Sequence, residues 1–162
     1  MSRENLDELR AQVGRESQAL QAAVDDVDRA AATALGVNRT DLRCLEVLIR
    51  GESTPGALAA ELGLTSGSVT TMLDRLAKLG HVTREPEPGD RRKVLIRMTP
   101  ETKAEAWKIY GPIAQEGATE MAAYTADQLH TILDFLSRSR ALQQRHRERI
   151  SALPKTIRGT NS

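Results

Sequence analysis

Aromatic side chains are scarce in this chain: one tryptophan, two tyrosines and one phenylalanine among 162 residues. Cys44 is the only cysteine, which excludes an internal disulfide framework and fits a reducing compartment. No apolar run is long enough to cross a bilayer, and no basic-then-apolar leader is present. A cytoplasmic location with no membrane partner is therefore expected. The motifs of chemistry are missing too. There is no nucleophile elbow and no phosphate-cradling glycine loop, and His81, His130 and His146 are too far apart in sequence to suggest a metal site. These gaps argue against an enzyme and call for no cofactor or metal.

A net charge of +1 is also a lack, since a DNA-binding surface must be basic. The distribution answers the objection. Residues 1–35 hold seven acids against four bases, whereas residues 74–97 hold seven bases against four acids. Residues 138–158 are also basic. Segregation of this kind permits a basic face on a nearly neutral molecule.

The stretch from Pro55 to Met72, PGALAAELGLTSGSVTTM, reads as a helix-turn-helix. Ala59 is small where two helices must approach, Gly63 suits the positive φ of a tight corner, and Val69 and Met72 point back into it. Just downstream, His81 to Met98 reads as two short strands around a Pro/Gly turn that carries Arg91, Arg92 and Lys93. A helix-turn-helix followed by a basic hairpin is a winged helix, whose usual use is to bind DNA.

On either side lie longer helices. Leu6, Val13, Leu20 and Val27 recur every seven residues and predict a long amphipathic first helix that ends at Gly36. Asn38 or Thr40 can cap the next helix, whose Leu42, Leu45, Leu48 and Ile49 face inward. Thr54 and Thr65 are caps for the two helices of the corner. Thr99-Pro100 opens another helix, with a kink or break expected at Gly111-Pro112. Thr125 to Gln128 forms a capping box for a last helix that buries Leu129, Ile132, Leu133 and Leu136. The expected fold is mainly α with a small β-hairpin wing. Its parts are an N-terminal dimerisation helix over 1–35, a winged helix-turn-helix lobe over 36–99, C-terminal dimerisation helices over 100–154, and a loose tail over 155–162. A lobe of about sixty residues cannot cover the stripes of both the first and last helices, so a two-fold mate is expected.

The fourth helix presents Val69, Met72, Leu73, Leu76 and Leu79 on one face and a small, polar surface opposite. That surface suits a major groove. Thr65, Ser66, Ser68, Thr70 and Thr71 can bond base edges or phosphates, and Arg75 can pair bidentately with guanine. On the wing, Pro86, Pro88 and Gly89 stiffen the turn, and Asp90 can hold a neighbouring arginine. Arg91 and Arg92 can probe phosphate or a minor groove, with Arg84, Lys93 and Arg97 as flanking bases. Val82, Val94 and Ile96 anchor the hairpin.

With these residues in view, LAAELGLTSGSVTTMLDRLAKLGHVTREPEPGDRRKVLIRMTP resembles the DNA-binding lobe of the MarR family of bacterial transcriptional regulators. The likeness is close over residues 38–100, through the LAAELGL corner, the DRLAKLG helix end, the DRR wing and the MTP that opens the next helix. It implies a homodimer with interlocked terminal helices that binds double-stranded DNA at a pseudopalindromic operator, most simply as a repressor. It also implies a small amphipathic, often phenolic, effector held between the dimer helices and the lobe, for which Trp107 and Tyr110 are candidate pocket residues.

Two other readings remain open at this level. A winged helix can serve only as a protein-interaction module. Cys44 invites a redox-responsive regulator, although the resemblance places the sensing cysteine of peroxide-responsive relatives near the start of the first helix, where this chain has none. Nothing certain to face Cys44 would lower its pKa, so packing is the expected role.

Overall fold

The computed structural model describes residues 3–87 and 90–153, with the side chains of residues 4, 87 and 90–92 left aside. Pro88, Gly89, the tail over 155–162 and the side-chain roles expected of Asp90, Arg91 and Arg92 lie outside the described residues. The elements run α1 (Arg3–Ala34), α2 (Arg39–Leu48), α3 (Pro55–Leu62), α4 (Ser66–Lys78), β1 (Val82–Glu87), β2 (Asp90–Met98), α5 (Pro100–Met121) and α6 (Ala126–Ser151).

Side-chain caps set the helix starts. Asn38 rather than Thr40 caps α2, its Oδ1 accepting from the Asp41 amide at 2.9 Å. Thr54 caps α3 with Pro55 in the first turn, and Thr65 caps α4. Between α3 and α4 the chain turns through Gly63 at φ 68°, where a Cβ would be strained. Here the corner read from the sequence is realised.

The wing is an antiparallel pair in register from Val82↔Met98 to Pro86↔Val94. The next pair is Glu87↔Asp90, so the register shifts after Pro86 and the basic run from Arg91 to Lys93 falls at this bulge near the tip. Ser53, in the α2–α3 connection, exchanges both backbone hydrogen bonds with Ile96, at 3.1 and 2.7 Å, and ties the hairpin to the lobe.

The lobe's core is one cluster in which Leu45, Leu48, Leu58, Met72, Leu76 and Ile96 are buried together with Cys44. Each fully buried aliphatic side chain contributes about 1.5–3 kcal/mol. Three residues expected to face inward do not. Ile49 and Leu79 follow the last turns of α2 and α4 as their C-caps and are exposed, and Val94 is exposed because the hairpin has left the core by that point.

The backbone ladder is not broken at Gly111-Pro112, since α5 is one helix through both residues. Proline removes a single ladder donor and leaves the other bonds of the helix available. Gly111 answers to packing: the Trp107 indole lies 3.2 Å from where a Cβ would stand. The chain divides into two compact units, Met1–Pro112 and Ile113–Ser162, and the division falls at this proline.

The second unit contains α6, which opens with the expected capping box of Thr125 and Gln128. No side chain of α6 is buried within the single chain, where Leu129, Leu133 and Leu136 are exposed. Leu9, Val13, Leu20, Val24 and Val27 of α1 are exposed in the same way. A single chain offers these stripes too little apolar surface to cover them.

Candidate nucleic-acid interface

The N-terminal half of α4 is a strip of exposed hydroxyls. Thr65 and Ser68 share a hydrogen bond at 2.9 Å, while Thr70 and Thr71 donate to the carbonyls of Ser66 and Gly67 at 3.0 and 3.1 Å. A threonine that spends its proton inside the helix keeps only acceptor capacity. Thr70 and Thr71 in this pose can accept from the amino groups of cytosine or adenine but cannot donate to phosphate, which narrows the role expected of them. Ser68 and Thr71 also line an open cleft of about 700 Å³ with Arg39 and Thr40 at the start of α2. The cleft therefore joins the helix face to a cation from a neighbouring helix.

Arg75 is placed differently from the sequence expectation. Its Nε donates to Asp41 Oδ2 at 2.7 Å and its Nη2 to Asp41 Oδ1 at 2.5 Å. The fork that would pair with guanine is filled by a carboxylate of the same chain. Asp41 has 0% exposure and the Arg75 side chain 43%, so this pair anchors α4 on α2. Sequence reasoning passed over Asp41. A signal was available, because Asp41 shares a helical stripe with the buried Cys44, Leu45 and Leu48, and an acid on an apolar stripe needs a cation.

Arg84 is likewise engaged, by Asp74 of α4 at 2.6 Å, which fixes the wing's first strand against that helix. Arg97 bridges Glu52 at 2.7 Å and Glu85 at 3.5 Å. Lys93 is exposed at the bulge. Of the expected contact residues, Thr65, Ser66, Ser68, Thr70 and Thr71 are gathered on one exposed face, whereas Arg75 and Arg84 act within the fold.

His81 is a further residue whose part was not foreseen. Standing at the foot of β1, its Nε2 donates to the Leu35 carbonyl at 3.0 Å, and its Nδ1 lies 3.0 Å from Thr102 Oγ1 of α5. Leu35 and Thr102 also line an apolar pocket of about 290 Å³ formed with α2, Met98, Ala106 and Tyr110. Of the two candidate pocket residues, Tyr110 lines it. Trp107 is 70% exposed and lies outside the lining, because its ring is turned onto Gly111. Burial first, and then the charges of Asp28 and Glu46, push the Tyr110 hydroxyl up to about 12.

Cys44 is buried at 0% exposure, and burial together with the Asp41 charge raises its thiol to about 12. A raised thiol pKa leaves the neutral form dominant throughout the physiological range, so the reactive thiolate is withheld. In the native protein Cys44 should resist alkylating reagents and peroxide, and operator affinity should be the same before and after peroxide treatment. Mass spectrometry of the treated protein beside a binding titration checks this; oxidation at Cys44 with loss of binding would restore the redox reading. Among the described residues no group of three or more His, Cys, Asp or Glu side chains could hold a metal ion, and no helix is long and apolar enough to cross a membrane.

A helix-turn-helix docked on a hairpin that carries a basic bulge defines a winged-helix protein. Comparison with known proteins narrows the class. A sequence model of the MarR family matches residues 35–93. The chain is 35% identical over 123 residues to the HTH-type transcriptional regulator YcgE of Bacillus subtilis, covering 75% of this chain and 80% of that one. It is 32% identical over 100 residues to the multiple antibiotic resistance protein MarR of Salmonella typhimurium, covering 60% and 69% of the two chains. Among solved structures, wild-type MarR from E. coli superposes with a TM-score of 0.53 at 28% identity, over 78% of this chain and 95% of that one. The chain belongs to the MarR family and is a winged-helix transcriptional regulator.

Proposed function

We propose that two copies of this chain pair through α1 and the C-terminal helices and bind a pseudopalindromic operator as a repressor, in the cytoplasm, without catalysing a reaction. Each lobe, over residues 36–99, would set the N-terminal half of α4 in a major groove and the wing against the flanking backbone. The observation that carries this reading is the docking of the wing on α4 through Arg84 and Asp74, which holds a hydroxyl-lined helix face and a run of three bases in one lobe. Thr65, Ser66, Ser68, Thr70 and Thr71 are the proposed helix contacts. Arg91, Arg92 and Lys93 are the proposed wing contacts, with Asp90 positioning an arginine.

Selection from random duplexes tests the reading directly. An enriched two-fold-related sequence whose binding weakens steeply with salt is the expected result. No enrichment and no salt dependence would instead point to a protein-interaction module.

Support for pairing comes from the exposed apolar stripes of α1 and α6, which a two-fold mate would cover. Deleting residues 1–30 should therefore give aggregation or loss of helical circular dichroism. A folded, soluble monomer in light scattering after that deletion would count against the interlocked dimer.

The pocket beside Tyr110 is the proposed effector site. Its walls include Leu35 and Thr102, the two residues that hold His81 at the foot of the wing. A ligand that moves either wall would change the seat of the wing, and so the affinity for DNA.

A further inference from the structure

The polar chemistry of the apolar pocket has one sign. Leu42, Leu45, Met98 and Ala106 supply hydrocarbon, and the lining's one ionisable charge is the Glu46 carboxylate. No lysine, arginine or histidine lines it. The Tyr110 hydroxyl oxygen is buried without a hydrogen-bond partner. Of the three arginines whose charges act on Glu46, Arg43 acts most strongly, while Arg39 pairs with Asp25 at 2.7 Å and Arg50 with Glu61 at 2.6 Å. Glu46 as a whole is exposed, but partial desolvation of its carboxyl and the charge of Asp28 outweigh Arg43, Arg39 and Arg50 and raise its pKa above the ordinary carboxylate value. Glu46 thus gives the pocket wall its one charge, a negative one, and the Tyr110 hydroxyl, which keeps its proton, offers an oxygen lone pair beside the carboxylates of Asp28 and Glu46.

We propose that this pocket takes a cationic amphiphile, an arylalkyl or short alkyl amine with Glu46 as counter-ion, the Tyr110 oxygen as acceptor, and its hydrocarbon against the apolar wall. The inference rests on the reading of the pocket as the effector site and replaces the phenolic ligand class that the family resemblance suggested. An ammonium brings N–H donors to two acceptors. A phenolate or carboxylate brings a second negative charge beside Glu46 and Asp28, where like charges repel.

The test is calorimetric titration of the full chain with phenylbutylamine, phenylbutanol and phenylbutanoate, which share a hydrocarbon body and differ in charge. The amine should bind roughly tenfold more tightly than the alcohol, and the carboxylate more weakly than either. Glu46→Gln should bring the amine down to the alcohol's affinity while leaving the alcohol unchanged, and Ala106→Phe, which fills the pocket, should abolish binding of all three. Circular dichroism confirms that both variants are folded. Equal binding of amine and alcohol, or an amine preference that survives Glu46→Gln, overturns the cationic class and leaves the pocket as an effector site. Failure of all three compounds to bind, or binding untouched by folded Ala106→Phe, removes the effector site and the proposal together.

Discussion

Arg75→Ala should destabilise this protein far more than it alters the base sequence it prefers. Asp41 is fully buried and both of its carboxylate oxygens accept from the Arg75 guanidinium. Removing the cation leaves an uncompensated charge in the core, a change that costs about 3–5 kcal/mol in fully buried pairs. Because the Arg75 side chain is 43% exposed, water can reach part of the site, and the low end, about 3 kcal/mol, is expected. Replacing both partners together, Asp41→Leu with Arg75→Met, should cost much less than Arg75→Ala, since neither charge is then stranded. Urea unfolding at fixed protomer concentration measures the difference. A normal midpoint for Arg75→Ala, combined with relaxed base preference at the operator, would return Arg75 to the role of guanine reader.

Changing Arg91, Arg92 and Lys93 together to Ala should weaken binding to every duplex, specific or scrambled. Three consecutive bases in the sequence of the wing put three positive charges in one short stretch of the hairpin. Every phosphate that a side chain ceases to neutralise lowers the dependence of log K on log salt by about 0.9, so removing all three charges should flatten the slope by close to three units per lobe, or about five for the two lobes of the proposed dimer. Affinity at moderate salt should fall by about one to two orders of magnitude. Thr71→Val is the contrasting variant. It removes an acceptor that can meet a base amino group, so it should cost about 1 kcal/mol on the best site and little on scrambled DNA. Titrations at several salt concentrations separate the two defects. If the wing variant lost only sequence preference while Thr71→Val lost only general affinity, the two roles would have to be exchanged.

Local chemistry made much of the fold legible. Helix starts follow from short polar side chains that bond amides two or three residues on, so Thr54, Thr65 and Thr125 mark them without reference to anything distant. Gly63 marks the corner for the same local reason, a backbone conformation that a Cβ resists. The buried faces of α2 and α4 were legible through their spacing, except at Ile49 and Leu79, where each helix ends and its stripe leaves the core. The exposed hydroxyls of α4 were legible through the same spacing, as the face opposite its buried stripe.

Partners distant in sequence were decided by tertiary structure. Arg75 reads as a free cation on an outward face because nothing near it in sequence bears an acid placed to hold it; its partner lies 34 residues away on α2. His81 reads as a hairpin residue, yet its two hydrogen bonds reach back 46 residues and forward 21. Tyr110 and Trp107 sit one helical turn apart and looked alike as pocket residues, but only packing could separate them, one onto the cavity and the other onto Gly111. By itself the sequence determined the helices, the corner, the wing and the family, because caps, turns and apolar periods act over a few residues. Which charges are consumed in holding the lobe together was decided by the tertiary structure, because an ion pair depends on the distance between groups in space and hardly at all on their separation along the chain.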